Sequence, residues 1–391
     1  MSRLRPHGMG RGWLLASLLL LLACGGEPDA AVAVVVDSAG VEIVSSAAPV
    51  WGETGGWHVG EILLSLGSEA DPLFDVVGAA RRPGGGIVVG LGSSGEIRFY
   101  DASGELEAAW GRSGGGPGEF RILQSVGLLA GDTAWAYDYA LRRMTILEAQ
   151  SGVLEVVPLQ PAPARALVVG SLSARGWVLR EAWGDGAGRV ETGLRRDPVR
   201  IFRATRDGHV GEALASLPGR EVLISSEGGR GVMGTAPFAR NASVSVLGGR
   251  VVMGDQVGYE LRIVDAGGRV EGIVRWGGPS LDVTAAEVDA WKEAQVAEAD
   301  PRDRAGMRAY LEVTPMPDRR PAYGTVLPGP GGEIWVAAYA QPGASPAACT
   351  VLGPDGSWLG PVTMPAGFTP LQVERSWILG LQTDDLGAEQ V

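Results

Sequence analysis

The sequence predicts an all-β fold assembled from repeated four-stranded antiparallel sheets, and three observations lead there. Sixty-one glycines and 25 prolines among 391 residues, with Lys292 as the single lysine, describe a turn-rich chain. Residues 76–120, VVGAARRPGGGIVVGLGSSGEIRFYDASGELEAAWGRSGGGPGEF, hold four short apolar runs separated by glycine turns. Strands of four to six residues with that punctuation form an antiparallel meander. Weaker copies of the same unit recur downstream.

The N-terminus comes first. Arg3, Arg5 and Arg11 precede an apolar run at 13–23 (WLLASLLLLLA), which is of secretory length and too short to span a bilayer as a permanent helix. It ends in Leu21-Leu22-Ala23-Cys24, followed by Gly25-Gly26. This resembles the bacterial lipobox, in which the cysteine thiol accepts diacylglycerol and becomes the first mature residue. The resemblance implies a signal peptide over 1–23, a flexible tether over 24–31 and one domain over 32–391. Acyl chains on Cys24 would hold the protein on a bilayer, outside the cytoplasm, in the periplasm or at the cell surface. Removing the leader discards three arginines and no acid, taking the formal charge from −12 to −15. Cys349 is then the lone thiol of the domain; it has no disulfide partner in the chain and reads as a buried, inert side chain.

Residues 31–46 (AVAVVVDSAGVEIVSS) give two strands around Asp37-Ser38-Ala39-Gly40, and 57–66 (WHVGEILLSL) a third. After the opening meander, a second copy has strands at 126–129, 134–137, 143–147 and 153–159. The third copy places them at 166–170, 177–182, 199–204 and 209–215, with a longer hairpin around 184–196. The fourth runs 242–246, 250–254, 260–265 and 270–276, and the fifth 323–327, 333–338, 348–352 and 358–362. Gly104, Gly152, Gly208 and Gly267 mark the turn between third and fourth strands, 48, 56 and 59 residues apart. Gly356 follows 89 residues later, across an insert.

A four-stranded unit recurring at about 40–50 residues is the signature of a propeller blade. One sheet cannot bury both of its faces alone, so the blades stack around an axis. The tail supplies half a blade, 371–373 and 377–382. Strands 41–44 and 57–66 complete it, which predicts a six-bladed β-propeller closed by its N- and C-terminal strands and free of exposed edges. The insert, 281–322, reads as helical near 282–312. Thr284-Ala285-Ala286-Glu287 is a capping box leading to Val288, Trp291 and Ala294 or Gln295 at helical spacing. Asp300-Pro301 reads as a second helix start, with Met307, Tyr310 and Leu311 as its apolar stripe.

Residues 111–120 (GRSGGGPGEF) look like the inter-blade signature of NHL-type six-bladed propellers, a group close to the TolB-like ones. The chain also resembles secreted or lipid-anchored six-bladed propeller proteins of uncharacterised function. That likeness takes in Asp37-Ser38-Ala39-Gly40-Val41, Gly95-Glu96-Ile97-Arg98-Phe99 and the helical insert. It implies an architecture and is silent on chemistry. A phosphate loop is excluded, because the glycines enter a β-turn region and no Gly-Lys-Ser/Thr exists in the chain.

Acidic net charge and scattered arginines exclude nucleic acid as a partner. His7, His58 and His209 are too few for a histidine-rich zinc centre, and no nucleophile elbow accompanies them. Propeller lactonases that resemble gluconolactonases hold calcium on axial acids and asparagines. Here Asp138, Asp255 and Asp384-Asp385 follow second strands at comparable positions, and Asn241 is the plausible asparagine; Asp138, Asp255 and Asp384 are the calcium candidates. Tyr137, Tyr139, Trp183 and Tyr339 lie at the same strand ends and offer a recognition surface. Two readings result. One is a monomeric, non-catalytic, lipid-anchored propeller without a cofactor, recognising a protein, peptide or glycan through its axial mouth and loops. The alternative is a calcium-dependent hydrolase or lyase using the same mouth.

Overall fold

A computed structural model describes residues 33–391 except 53–55, 69, 130, 162, 164, 173–174, 185–191, 228–229, 341–344 and 384–387. Cys24, its tether, Asp384 and Asp385 lie outside the described residues. The chain begins with a hairpin, β1 (Ala33–Ser38) and β2 (Val41–Ser46). A four-stranded meander follows: β3 (Val76–Arg81), β4 (Ile87–Leu91), β5 (Glu96–Tyr100) and β6 (Leu106–Trp110). The second has β7 (Leu123–Leu128), β8 (Ala134–Asp138), β9 (Arg143–Glu148) and β10 (Gly152–Pro158). The third has five strands: β11 (Ala166–Ser171), β12 (Trp177–Glu181), β13 (Gly193–Ala204), β14 (Val210–Glu227) and β15 (Arg230–Thr235). The fourth is β16 (Ser243–Leu247), β17 (Arg250–Gly254), β18 (Glu260–Val264) and β19 (Val270–Trp276).

The insert then supplies α1 (Ala285–Glu298) and α2 (Arg304–Val313). Neither is long and apolar enough to cross a membrane. The fifth sheet is β20 (Val326–Pro328), β21 (Ile334–Ala337), β22 (Ala348–Leu352) and β23 (Trp358–Thr363). The last is β24 (Phe368–Val373), β25 (Ile378–Thr383) and β26 (Glu389–Gln390).

Second strands are largely apolar because neighbours cover both of their faces. All five residues of β4 (IVVGL) and all five of β8 (AWAYD) are buried, whereas the outer strand β6 (LEAAW) is mostly exposed. First strands touch in the order β3, β7, β11, β16, β20, β24, and β24 meets β3 again. An apolar cluster fills each junction. Val88 and Phe99 meet Phe120 and Val126 between the first two sheets. Tyr137 and Met144 meet Trp177 and Leu179 between the next two. Ile87, Val89 and Tyr100 of the first sheet meet Leu379 and Val391 of the last. Each large apolar side chain so buried stabilises the fold by about 1.5–3 kcal/mol. Six antiparallel sheets packed in this succession make a β-propeller.

Three expectations need correction. Residues 41–44 do not complete the final sheet; β2 instead pairs in parallel with β19, from Glu42 opposite Gly272 to Ser46 opposite Trp276. That register buries Val44, which lies with Val274 against the Gly356 turn. The final sheet takes its third strand from the tail, and Leu66 is the N-terminal residue that reaches it. The Leu66 and Val391 N–H groups each donate to the other's carbonyl, at 2.8 and 3.1 Å. The left-handed turn glycine of the fourth sheet is Gly268 (φ 88°), because the Gly267 N–H is held by Asp265 Oδ1 at 2.8 Å. The capping box at Thr284 and Glu287 forms, but the Asp300 carboxylate accepts the Arg302 N–H and closes a turn there. The second helix therefore starts later, at Arg304.

Candidate functional site

In an antiparallel meander, the loop after the second strand and the linker to the next sheet leave from the same end. That topology puts Asp138, Tyr139, Trp183, Asp255 and Tyr339 at one end, together with the insert. The two described aspartates, Asp138 and Asp255, have separate hydrogen-bond partners. The Asp138 side chain is fully buried. Its Oδ2 accepts the Arg121 N–H at 2.8 Å, and its Oδ1 accepts those of Ala140 and Leu141 at 2.9 Å. This carboxylate stitches a linker to a turn. Asp255 Oδ1 accepts the Val257 N–H at 3.0 Å, and its carbonyl accepts from Arg196 Nη2 at 2.9 Å. Tyr139 packs half-buried against the Trp177 cluster, and the Tyr137 hydroxyl donates to the Ala166 carbonyl at 3.1 Å. Trp183 is exposed. Burial pushes the Tyr339 hydroxyl up to about 12, and it has no hydrogen-bond partner among the described residues.

A polar network missed at the sequence level organises this end. Arg196 donates to the carbonyls of Pro218, Gly219 and Asp255. Burial, then neighbouring Arg240, holds its guanidinium below the ordinary arginine value. Arg240 pairs with Glu221 at 2.6 Å, and Arg320 with Glu287 at 2.7 Å, holding the two ends of the insert together. The Tyr323 hydroxyl donates to the Glu260 carbonyl at 3.1 Å. No motif marks these residues, because carbonyls of distant turns supply most of the acceptors. Among the described residues, no group of three or more His, Cys, Asp or Glu is placed to hold a metal ion. His58 and His209 are exposed.

The opposite end holds a cavity of about 610 Å³. Its walls are the hairpins joining first to second strands in the first, second and last sheets. Arg81, Leu129, Gln372, Glu374, Ser376 and Trp377 line it. The Arg81 guanidinium lies over the Trp377 ring, 4.8 Å from its centroid, a favourable cation–π placement. Two contacts orient the arginine: its N–H donates to Gln372 Oε1 at 2.9 Å and its Nε to the Gly85 carbonyl at 3.3 Å. Among the described residues no carboxylate pairs with it, and its two terminal nitrogens make no hydrogen bond. Neighbouring Arg82 behaves oppositely. It is 7% exposed and bonds Glu107 at 2.5 Å, Asp132 at 3.2 Å and the Tyr100 carbonyl at 3.1 Å. A buried arginine persists because such partners offset its desolvation. Sequence reading did not single out this site: Arg81-Arg82-Pro83-Gly84 is an ordinary turn locally, Trp377 lies almost 300 residues away, and only the packing of the last sheet on the first brings it near.

No family model matches the chain, and no curated protein does. Solved structures do resemble it. A member of the DUF4221 family from Bacteroides vulgatus aligns with TM-score 0.52 and 11% identity, over 85% of this chain and 96% of that one. A candidate exported protein from Bacteroides fragilis aligns with TM-score 0.48 and 10% identity, over 87% and 88%. Regucalcin from Agrobacterium tumefaciens, a calcium-binding protein, aligns with TM-score 0.40 and 13% identity, over 82% and 90%. Likeness at such identities is one of fold alone.

Proposed function

We propose that the protein is a non-catalytic binding propeller, closed into six blades and held outside the cytoplasm by lipid on Cys24. Its ligand is a carboxylate-bearing glycan or peptide, taken up in the cavity at the hairpin end. The observation that carries this reading is Arg81: an oriented guanidinium over an indole, in a cavity, with no hydrogen bond from its terminal nitrogens among the described residues. A guanidinium fork matches a carboxylate in geometry and charge. Trp377 adds an apolar face against which a sugar or side chain lies, while Gln372, Glu374 and Ser376 supply polar contacts at the rim. The acids at the insert end support a binding role over catalysis, because Asp138 and Asp255 are engaged with backbone groups.

The test is titration of the protein with glucuronic-acid oligosaccharides and with short peptides bearing a free C-terminus. Tryptophan fluorescence is the readout, with Trp377→Phe identifying the responding ring. Arg81→Gln is expected to weaken binding by about ten- to a hundredfold, the worth of a charged hydrogen-bonded pair. Equal binding by wild type and Arg81→Gln would remove the cavity from consideration.

A further inference from the structure

The hairpin β1–β2 carries an observation independent of the cavity. β1 hydrogen-bonds to β2 on one side, and no strand among the described residues pairs with its other edge. Val34, Val35 and Val36 are 53%, 60% and 51% exposed. Successive strand residues face opposite ways, so both faces of β1 present valine to water. Three of the other outer strands are blunted. A bulge interrupts the pairing of β6 with β5, of β10 with β9 and of β23 with β22, and β23 also carries Pro361. β1 instead pairs with β2 residue for residue, without a shift, and contains no lysine, arginine or proline. An edge so regular and apolar is a template for another strand.

We propose that β1 docks a second copy of this chain, as an antiparallel β1–β1′ ladder with its two-fold axis at Val35. The strand is complementary to itself in that register. Val34 faces Val36′, Val35 faces its own copy, and Ala33 faces Asp37′, so no like charges oppose each other. The two Asp37 side chains then stand four residues apart along the ladder, roughly 13 Å, beyond the Debye length at physiological salt. A lipid surface fits poorly. The hairpin holds Asp37 and Glu42 but no basic residue, and hydrocarbon would leave the strand's backbone groups unpaired. A ladder of this length buries less than the about 1,200 Å² of a standard interface, so association is reversible and concentration-dependent.

Sedimentation of the full chain in detergent is expected to show a monomer–dimer equilibrium. Val35→Lys sets two ammonium groups across the axis, and it should weaken the dimer about tenfold or more without lowering the melting temperature. Val35→Cys should yield a disulfide-linked dimer on oxidation. Leu154→Cys, a comparably exposed site on β10, should not, and it controls for Cys24, which both variants retain. The proposal falls if Val35→Lys dimerises as the wild type does, if Val35→Cys forms no covalent dimer, or if it couples to a different protein instead.

Discussion

Asp138 and Arg81 show how differently two charged residues serve one fold. Asp138 is spent on structure, with three backbone N–H groups converging on a buried carboxylate at 2.8–2.9 Å. Asp138→Ala would leave those donors unpaired, and the expected loss is about 2–4 kcal/mol in chemical denaturation. Calcium is expected to leave the wild-type unfolding midpoint where it is, since a cation at Asp138 would have to displace those bonds. Arg81 is held by its Nε and backbone, and among the described residues its terminal nitrogens make no hydrogen bond. Its substitution should therefore cost ligand affinity and little stability.

At the scale of elements, the helical insert is locally coded and loosely attached. Thr284 Oγ1 accepts the Glu287 N–H at 3.3 Å, and Glu287 Oε2 accepts the Thr284 N–H at 2.9 Å. Val296 and Leu311 are the buried residues of α1 and α2, so the two helices add little to the core. Thr284→Ala should cost about 1 kcal/mol. Faster amide exchange within α1, with the sheets unchanged, would be its signature. The Glu287 carboxyl is held below the ordinary glutamate value, first by the Thr284 backbone N–H and then by its side chain and Arg320. A depressed value means stabilisation that is present above the ordinary glutamate range and lost as pH falls through the lowered value. The protection factors of the α1 amides should thus fall on acidification before those of the sheets do.

Across the whole molecule, residues 389–391 join the last sheet to residues 66–76, which lead into the first sheet. Val391 exchanges hydrogen bonds with Leu66, and Glu389 bridges to Leu73 while its carboxylate accepts the Val76 N–H at 2.7 Å. Deleting 389–391 removes these bonds and exposes the cluster of Leu66, Leu73 and Leu379. The expected cost is about 3–5 kcal/mol, read as a shift of the denaturant midpoint. A midpoint unchanged by the deletion would mean that the first and last sheets do not depend on each other.

The all-β class, the blade repeats and the capping box of α1 were legible in the sequence, because each rests on contacts a few residues apart: a short apolar run, a turn glycine, a threonine three positions before a glutamate. Only tertiary structure decided that β2 lies on β19, that Leu66 meets Val391, and that Arg81 meets Trp377. Those pairings join residues that are far apart in the chain, and nothing in local patterning distinguishes one open strand edge from another. The same limit governs the acids after second strands. Their chain positions suggested a shared site, while the folded backbone offers N–H groups that hold Asp138 and Asp255 in place separately.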